Sequence, residues 1–453
     1  MINLTMGYWE GVGKFKSVFQ NKAGLVAILL LILGGFLGVK FWNYRTATSA
    51  VTEAAVTPEQ VFTRVSVDHQ WVLLGNEFTF REKSLPFRAE VSPDFADAVL
   101  TYAVEGTDLT GRMLEDETGR YWAEIFVGNL KPGKYTVFAQ IESGSGTVAS
   151  PKAEFQVSYP LYVAWTLDWE GEIIPDKNLA AIDAIANNHK IPITHFFNPR
   201  IYISPATTSP ARADYLTSWV IKRKRTRGDA IGLHLHMFYD MVKAAGVEPR
   251  HSPDRGGRID DGSDILISGY TYEETVKILN WSKNLFEEEG LGTPNMFRAG
   301  GWYADEETLK ALDDTGFVAD SSGRTKYFTG TKAIKGPWDL AETTQPYHPN
   351  IYNQNSSEYP TLGLWEFPNN GADSYAFSES ELYSRFTANF KGSPLSKRTI
   401  VTYLSHPEYF WVDDLKLKTL FTRIDKHLNS LDGGPVIYVT LEEAYRIWAE
   451  NGY

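Results

Sequence analysis

The rhythm of apolar positions changes along the chain, and each change marks a different kind of element. Residues 23–39 read AGLVAILLLILGGFLGV, with no charge and no polar period. About 20 such residues, rising about 1.5 Å each, cross a bilayer core, so the stretch predicts a single transmembrane helix over 23–42. Lys40 would snorkel there, with Phe41 and Trp42 in the interface. From 61 to 158 short strand-like runs recur at 71–74, 87–91, 98–104, 121–127, 135–141 and 153–157. In the fifth run Tyr135, Val137, Ala139 and Ile141 share one face, behind a Pro-Gly turn. About seven short strands in about 100 residues predict an antiparallel β-sandwich of immunoglobulin-like or fibronectin-like type. From 159 onward apolar runs at 161–167, 193–197, 230–236, 399–404 and 436–439 alternate with helical patterns at 178–188, 213–222, 271–289, 305–315 and 441–450. Thr271 and Glu274 have capping-box spacing, and Gly290 and Gly316 read as stops. That alternation predicts an α/β barrel or a doubly wound sheet.

The chain therefore divides into a tail (1–22), an anchor (23–42), a linker (43–60), a β-sandwich (61–158) and an α/β domain (159–453). Lys14, Lys16 and Lys22 precede the apolar stretch with only Glu10 against them. By the positive-inside rule the N-terminus is cytoplasmic and everything beyond Trp42 extracytoplasmic. No small-residue cleavage site follows closely, which favours a membrane-anchored chain over a cleaved signal peptide. The sandwich carries no cluster suggesting chemistry and reads as a spacer or as a docking module for a surface protein.

Composition narrows the chemistry. The 453 residues include no cysteine, which excludes disulfides, thiolate nucleophiles and Cys-ligated metals and leaves His, Asp and Glu as metal ligands. Lys plus Arg number 44 against 56 Asp plus Glu, a formal charge of −12, which argues against nucleic acid as a partner. Aromatics reach 14%, with 13 Trp and 24 Tyr; such rings fill β-rich cores or stack on sugars, and composition alone does not choose.

In parallel α/β folds the active site lies at the carboxyl ends of the strands, and four polar clusters follow apolar runs here. Thr166-Leu-Asp168-Trp-Glu170-Gly171 places two carboxylates two residues apart, on one face of an extended chain. Gly232-Leu-His234-Leu-His236 does the same for two imidazoles, which suit a divalent transition metal. Phe297-Arg298-Ala-Gly-Gly-Trp302 sets an arginine beside glycines that would let a substrate approach the backbone. Leu404-Ser-His406-Pro407 ends a strand on a histidine. Singly, each has a plain structural reading, since Asp-x-Glu is a common turn and a lone histidine is commonly a core residue. The ordered set is what changes the weighing.

That set resembles the polysaccharide deacetylase family of carbohydrate esterases. The resemblance covers about 159–450 and extends to Ile193-Thr-His-Phe-Phe197, Gly228-Asp-Ala-Ile-Gly232 and Pro435-Val-Ile-Tyr-Val-Thr-Leu441. It implies a distorted (β/α)7 barrel and metal-dependent removal of N-acetyl or O-acetyl groups from a cell-surface polysaccharide or glycan. It implies Asp168 as base, Arg298 as the residue orienting it, and His406 as acid, with Asp320 the candidate for orienting His406. It also implies a divalent ion, zinc first, on Glu170, His234 and His236. Two departures from the family pattern stand out. The second carboxylate has moved one place and become Glu170, and Phe238 stands four residues after His234, where the family has its second histidine. His236 takes that ligand's place. Trp302, Tyr303 and Trp411 lie beside these motifs and could stack on sugar. The alternatives are a barrel that binds glycan or protein without turnover, and a hydrolase of another C–N amide.

Overall fold

The segment Leu161–Asp168 (β1) is buried at all eight positions, as a strand covered on both faces must be. It is the centre of a parallel sheet of nine strands among the described residues. The others are β2 (Ile193–Phe197), β3 (Ala230–Leu235), β4 (Met296–Ala299), β5 (Ala319–Asp320), β6 (Trp365–Glu366), β7 (Ala372–Asp373), β8 (Thr399–Ser405) and β9 (Val436–Val439). Their order in space is β6-β5-β4-β3-β2-β1-β8-β7, with β9 alongside the first half of β1. Every pairing in this sheet is parallel, so all the carboxyl ends meet at one rim. Helices Asp176–His189, Pro210–Arg227, Tyr272–Glu288, Glu306–Asp314 and Leu441–Glu450 connect or follow the strands. The Thr271 capping box forms, with Thr271 N donating to Glu274 at 2.8 Å. Left-handed Gly290 and Gly316 sit just past the ends of their helices.

The computed structural model describes residues 56–143, 146–325, 327–329, 332–334 and 336–451. The expected anchor over 23–42 lies outside them, and no helix among the described residues is long and apolar enough to cross a membrane.

The expected fold class is corrected in two places. The α/β sheet is not the expected distorted (β/α)7 barrel: it has nine strands, and no pairing among the described residues joins β6 to β7. The edge of β8 ahead of β7 is occupied instead by Asn370, whose Oδ1 accepts from Thr402 N at 2.9 Å and whose Nδ2 donates to Ile400 O at 2.9 Å. A side-chain amide there satisfies backbone groups that a further strand would otherwise pair.

The segment before β1 is likewise not the separate, wholly antiparallel immunoglobulin-like sandwich. Its strands form a four-stranded sheet (order 62–67, 84–91, 120–126, 114–117) and a six-stranded sheet. In the second, Trp71–Leu73 pairs parallel with Ala153–Ser158. These sheets share a cluster around Phe87, Ile125, Val137 and Phe155. Trp71, however, is counted in the core of the α/β sheet, its ring 6.4 Å from that of Phe390. Its segment is claimed from both sides, and Val56–Tyr453 is one compact unit.

Two carboxylates, Asp432 and Glu77, anchor that junction. The carboxylate of Asp432, a residue in the left-handed conformation (φ 54°), accepts from Gln70 N at 2.7 Å and Trp71 N at 2.9 Å. Glu77 receives Arg398 Nε at 2.6 Å, the Arg398 Nη2 group, and Tyr162 OH at 2.8 Å. Burial pushes the Glu77 carboxyl up, but Arg398 and Tyr162 outweigh it and hold it below its ordinary value. Removing one partner of a buried pair leaves the other uncompensated. Glu77→Ala is therefore expected to cost about 3 kcal/mol in urea unfolding, against about 1 kcal/mol for Tyr162→Phe, which deletes one neutral donor. Equal midpoints for Glu77→Ala and wild type would show that the junction contributes nothing.

Candidate metal centre and active site

Because side chains alternate along a strand, His234 and His236 at the end of β3 emerge on the same face, their rings 5.1 Å apart. Each is fixed from behind. His234 Nδ1 donates to the carbonyl of Arg298 at 2.9 Å and His236 Nδ1 to that of Ser263 at 2.7 Å. A proton held on Nδ1 leaves the Nε2 lone pair pointing forward, the usual arrangement behind a metal-binding imidazole. Both Nε2 atoms face Glu170, His236 at 2.7 Å and His234 at 3.6 Å. His234 Nε2 is buried with no hydrogen-bond partner. One atom from each of the three residues falls within 4.8 Å of the others, the one group of its kind among the described residues. The electrostatics agree. Burial pushes Glu170 up, but the two histidines hold it well below the carboxylate range; burial pushes His236 down, but Glu170 holds it above the usual imidazole value. The pocket favours positive charge, and its donor set of two imidazoles and one carboxylate fits a divalent ion such as zinc.

Next to this group lies Asp168, the last residue of β1. Arg298, fully buried on β4, donates through Nη1 to Asp168 Oδ1 at 2.7 Å and to Thr166 Oγ1 at 2.7 Å. Its Nε reaches Ser321 O at 2.8 Å, its Nη2 reaches Ser321 Oγ at 2.7 Å, and its plane lies 4.3 Å from the Phe196 ring centre. Of the two glycines after it, Gly300 serves the histidine, and Gly301, in the left-handed region, lies against Arg255. A Cβ on Gly300 would sit 2.7 Å from the His236 ring, so only glycine lets this loop lie against the imidazole.

His406 follows β8 and turns its Nε2 toward Glu170 Oε1 at 3.4 Å. The expected partner Asp320 is not beside it, and the strand order gives the reason. Asp320 ends β5, which lies beyond β4 on the far side of β1, whereas the neighbour of β8 is β7. Asp373, at the end of β7, is the residue that faces His406, Oδ1 to Nδ1 3.6 Å. Burial pushes His406 down, and Asp373, Glu170, Asp168 and Asp413 together outweigh it and hold the imidazole above its ordinary value. Asp373 itself is pushed up to about 6 by burial, against the opposing pull of His406.

Sequence reasoning missed Asp373 because β7 has only two residues and shows no period. It also missed Glu408, two places beyond His406 in a motif already singled out. Glu408 is 2% exposed, its Oε1 accepts from Glu170 N at 2.9 Å, and burial together with Glu170 holds its carboxyl well above the usual range.

The three aromatic candidates separate. Trp302 is buried in the core with φ +63° and offers no face to a ligand, which corrects its assignment to sugar stacking. Tyr303 is half-buried in the same loop, and burial raises its hydroxyl despite Arg324 and Arg255 nearby. Trp411 is 57% exposed, and it continues a row of rings from His406 through Tyr409. Tyr375, 54% exposed, stands beside both His406 and Tyr409.

The chain matches no model of a known protein family and no curated protein. Among solved structures it is similar to a protein of Mycobacterium smegmatis described provisionally as a polysaccharide deacetylase, at 14% identity and TM-score 0.38, covering 63% of this chain and 89% of that one. It is similar to a peptidoglycan deacetylase from Bacillus subtilis at 12% identity and TM-score 0.33, covering 64% and 93%. It is also similar to a CE4 family pseudoenzyme from Bacillus anthracis at 12% identity and TM-score 0.30, covering 61% and 62%. Likenesses at these scores carry no weight for function, which stands on the chain's own geometry.

Behind Arg298, Asp320 accepts from Ser322 Oγ at 2.8 Å and stands opposite Glu366 on the neighbouring strand, and burial raises both carboxyls, Glu366 well above its ordinary value. A carboxyl raised in the folded state binds its proton more tightly there than in the unfolded chain. Stability is therefore lost as pH rises above the ordinary carboxylate range of about 4. Glu366→Gln keeps the acceptor for Gly323 N, bonded at 2.9 Å, and removes this titration. The variant is expected to gain stability relative to wild type between pH 5 and pH 8 in urea unfolding. A difference independent of pH would show that the pair holds no extra proton.

Proposed function

We propose that this chain is a metal-dependent hydrolase that removes acetyl groups from the amino sugars of a polysaccharide. The observation that carries the reading is the meeting, at one sheet rim, of three parts. These are the Glu170, His234 and His236 group, an aspartate held by a buried arginine, and a histidine 3.4 Å from the same Glu170. A divalent ion held by Glu170, His234 and His236, zinc being the best fit to that donor set, supplies Lewis acidity to the acyl carbonyl and the attacking water.

The chain's own residues supply the proton transfers. Asp168, held in place by Arg298 Nη1, takes a proton from water as the water oxygen bonds to the carbonyl carbon. The C–N bond then breaks with its electron pair on nitrogen, and His406 delivers its Nε2 proton to that nitrogen, giving acetate and a free amine. Asp373 beside Nδ1 stabilises the cationic imidazole before it gives up that proton. The exposed rings of Tyr375 and Trp411, with half-buried Tyr409 between them, favour a saccharide over a small cyclic amide, because sugar faces stack on aromatic rings.

Asp168→Asn and His406→Ala are each expected to lower kcat for acetate release from N-acetylated oligosaccharides by at least about 100-fold, with circular dichroism unchanged. Full activity in either purified variant would sink the assignment. Dialysis against a chelator is expected to abolish activity and added zinc to restore it. A protein that purifies without a stoichiometric ion and ignores chelators would be a glycan binder instead.

A further inference from the structure

The metal-binding carboxylate stands just past the end of the sheet. Trp169 N makes the last ladder bond, to Phe196 O at 2.9 Å. The Trp169 side chain turns inward, 1% exposed, its ring 4.8 Å from that of Phe197, with Nε1 donating to His195 at 3.3 Å. The residue directly after Asp168 thus faces the core, and the next residue able to face the histidines is Glu170, which has already left the ladder. The chain turns at once at Gly171, in the left-handed region, where a Cβ would meet Asn198 and Arg200 at 3.1 Å. With no strand left to pair it, the N–H of Glu170 goes to Glu408 Oε1 at 2.9 Å.

Glu408 is itself held. Asn178 Nδ2 donates to the carbonyls of Pro407 at 2.7 Å and Glu408 at 3.2 Å. The neighbouring Tyr409 hydroxyl donates to Glu172 Oε2 at 3.1 Å, a second tie between the same two loops.

We infer that Glu408 is a positioning residue: by accepting the Glu170 N–H it holds the backbone where the Glu170 carboxylate reaches both histidines. This rests on the metal-binding role proposed above. It assigns to the loop after β8, besides the proposed acid, a share in building the metal site. A free backbone N–H would let Glu170 follow the turn at Gly171 in more than one conformation. Binding an ion would then have to order the ligand as well as join it, which lowers affinity.

The test is zinc affinity of the full-length protein, by competition with a chromophoric chelator, with the stability of the zinc-free protein measured alongside. Glu408→Met fills the same space without an acceptor and is expected to weaken zinc binding by about 10- to 100-fold. Glu408→Gln keeps an oxygen that can accept the N–H and is expected to stay close to wild type, a rescue that loss of packing or charge would not produce. Wild-type affinity in a folded Glu408→Met, or equal weakening in both variants, overturns the inference. Should Glu408→Met not fold, Asn178→Ala loosens the backbone of the same loop while leaving the carboxyl in place. Weaker zinc binding in it supports the inference, and unchanged binding overturns it. A wild-type protein that takes up no zinc defeats the metal-binding role itself, a result distinct from wild-type binding that Glu408 does not affect.

Discussion

A guanidinium with no route to water governs this rim. Arg298 cannot shed its charge, so burial obliges its surroundings to provide acceptors. They come from Asp168 and Thr166 on β1 and from Ser321 beyond β5, with the face of Phe196 on β2 beneath. Strands β1, β2, β4 and β5 must therefore be in correct register before the charge is tolerable. The backbone carbonyl of the same residue accepts a hydrogen bond from His234 Nδ1. One residue thus sets both the orientation of the aspartate and the tautomer of a histidine, and it ties the proposed base to the proposed metal group mechanically.

Much of this rim is legible in the sequence because strand parity is local. His234 and His236 share a face by spacing alone, and their rings lie 5.1 Å apart, both facing Glu170. Arg298 meets Asp168 because both lie near the carboxyl ends of strands in one parallel sheet. Legibility fails where position depends on strand order. Asp320 has the local look of a site residue, but β5 and β8 stand on opposite sides of β1, and nothing near 320 reports that. Asp373 does the reverse: it meets His406 from a two-residue strand inside a long aperiodic stretch. Trp302 shows a different limit, since an aromatic after Gly-Gly can face either the cleft or the core, and a positive φ turns it inward.

The β-rich segment departs from the expected sandwich for a related reason. Its alternating runs are real, yet what Trp71 packs against is set far along the chain, at Phe390. Asp432 is one turn residue among many in the sequence, and only the folded chain shows it capping Gln70 and Trp71. Continuity at this junction means that the two sheet systems share stability, and a lesion at Glu77 is felt by the strand that carries Asp168.

The inward turn of Trp169 also bears on how such a site can change by mutation. A carboxylate introduced at 169 would land among Phe197, Trp219 and His195, where burial without a cation is costly. Removing Glu170 leaves two imidazoles without their anion. Under the metal-binding role proposed for Glu170, moving the second carboxylate by one residue would call for changes at 169 and 170 together, and at 408, whose carboxylate accepts the Glu170 N–H.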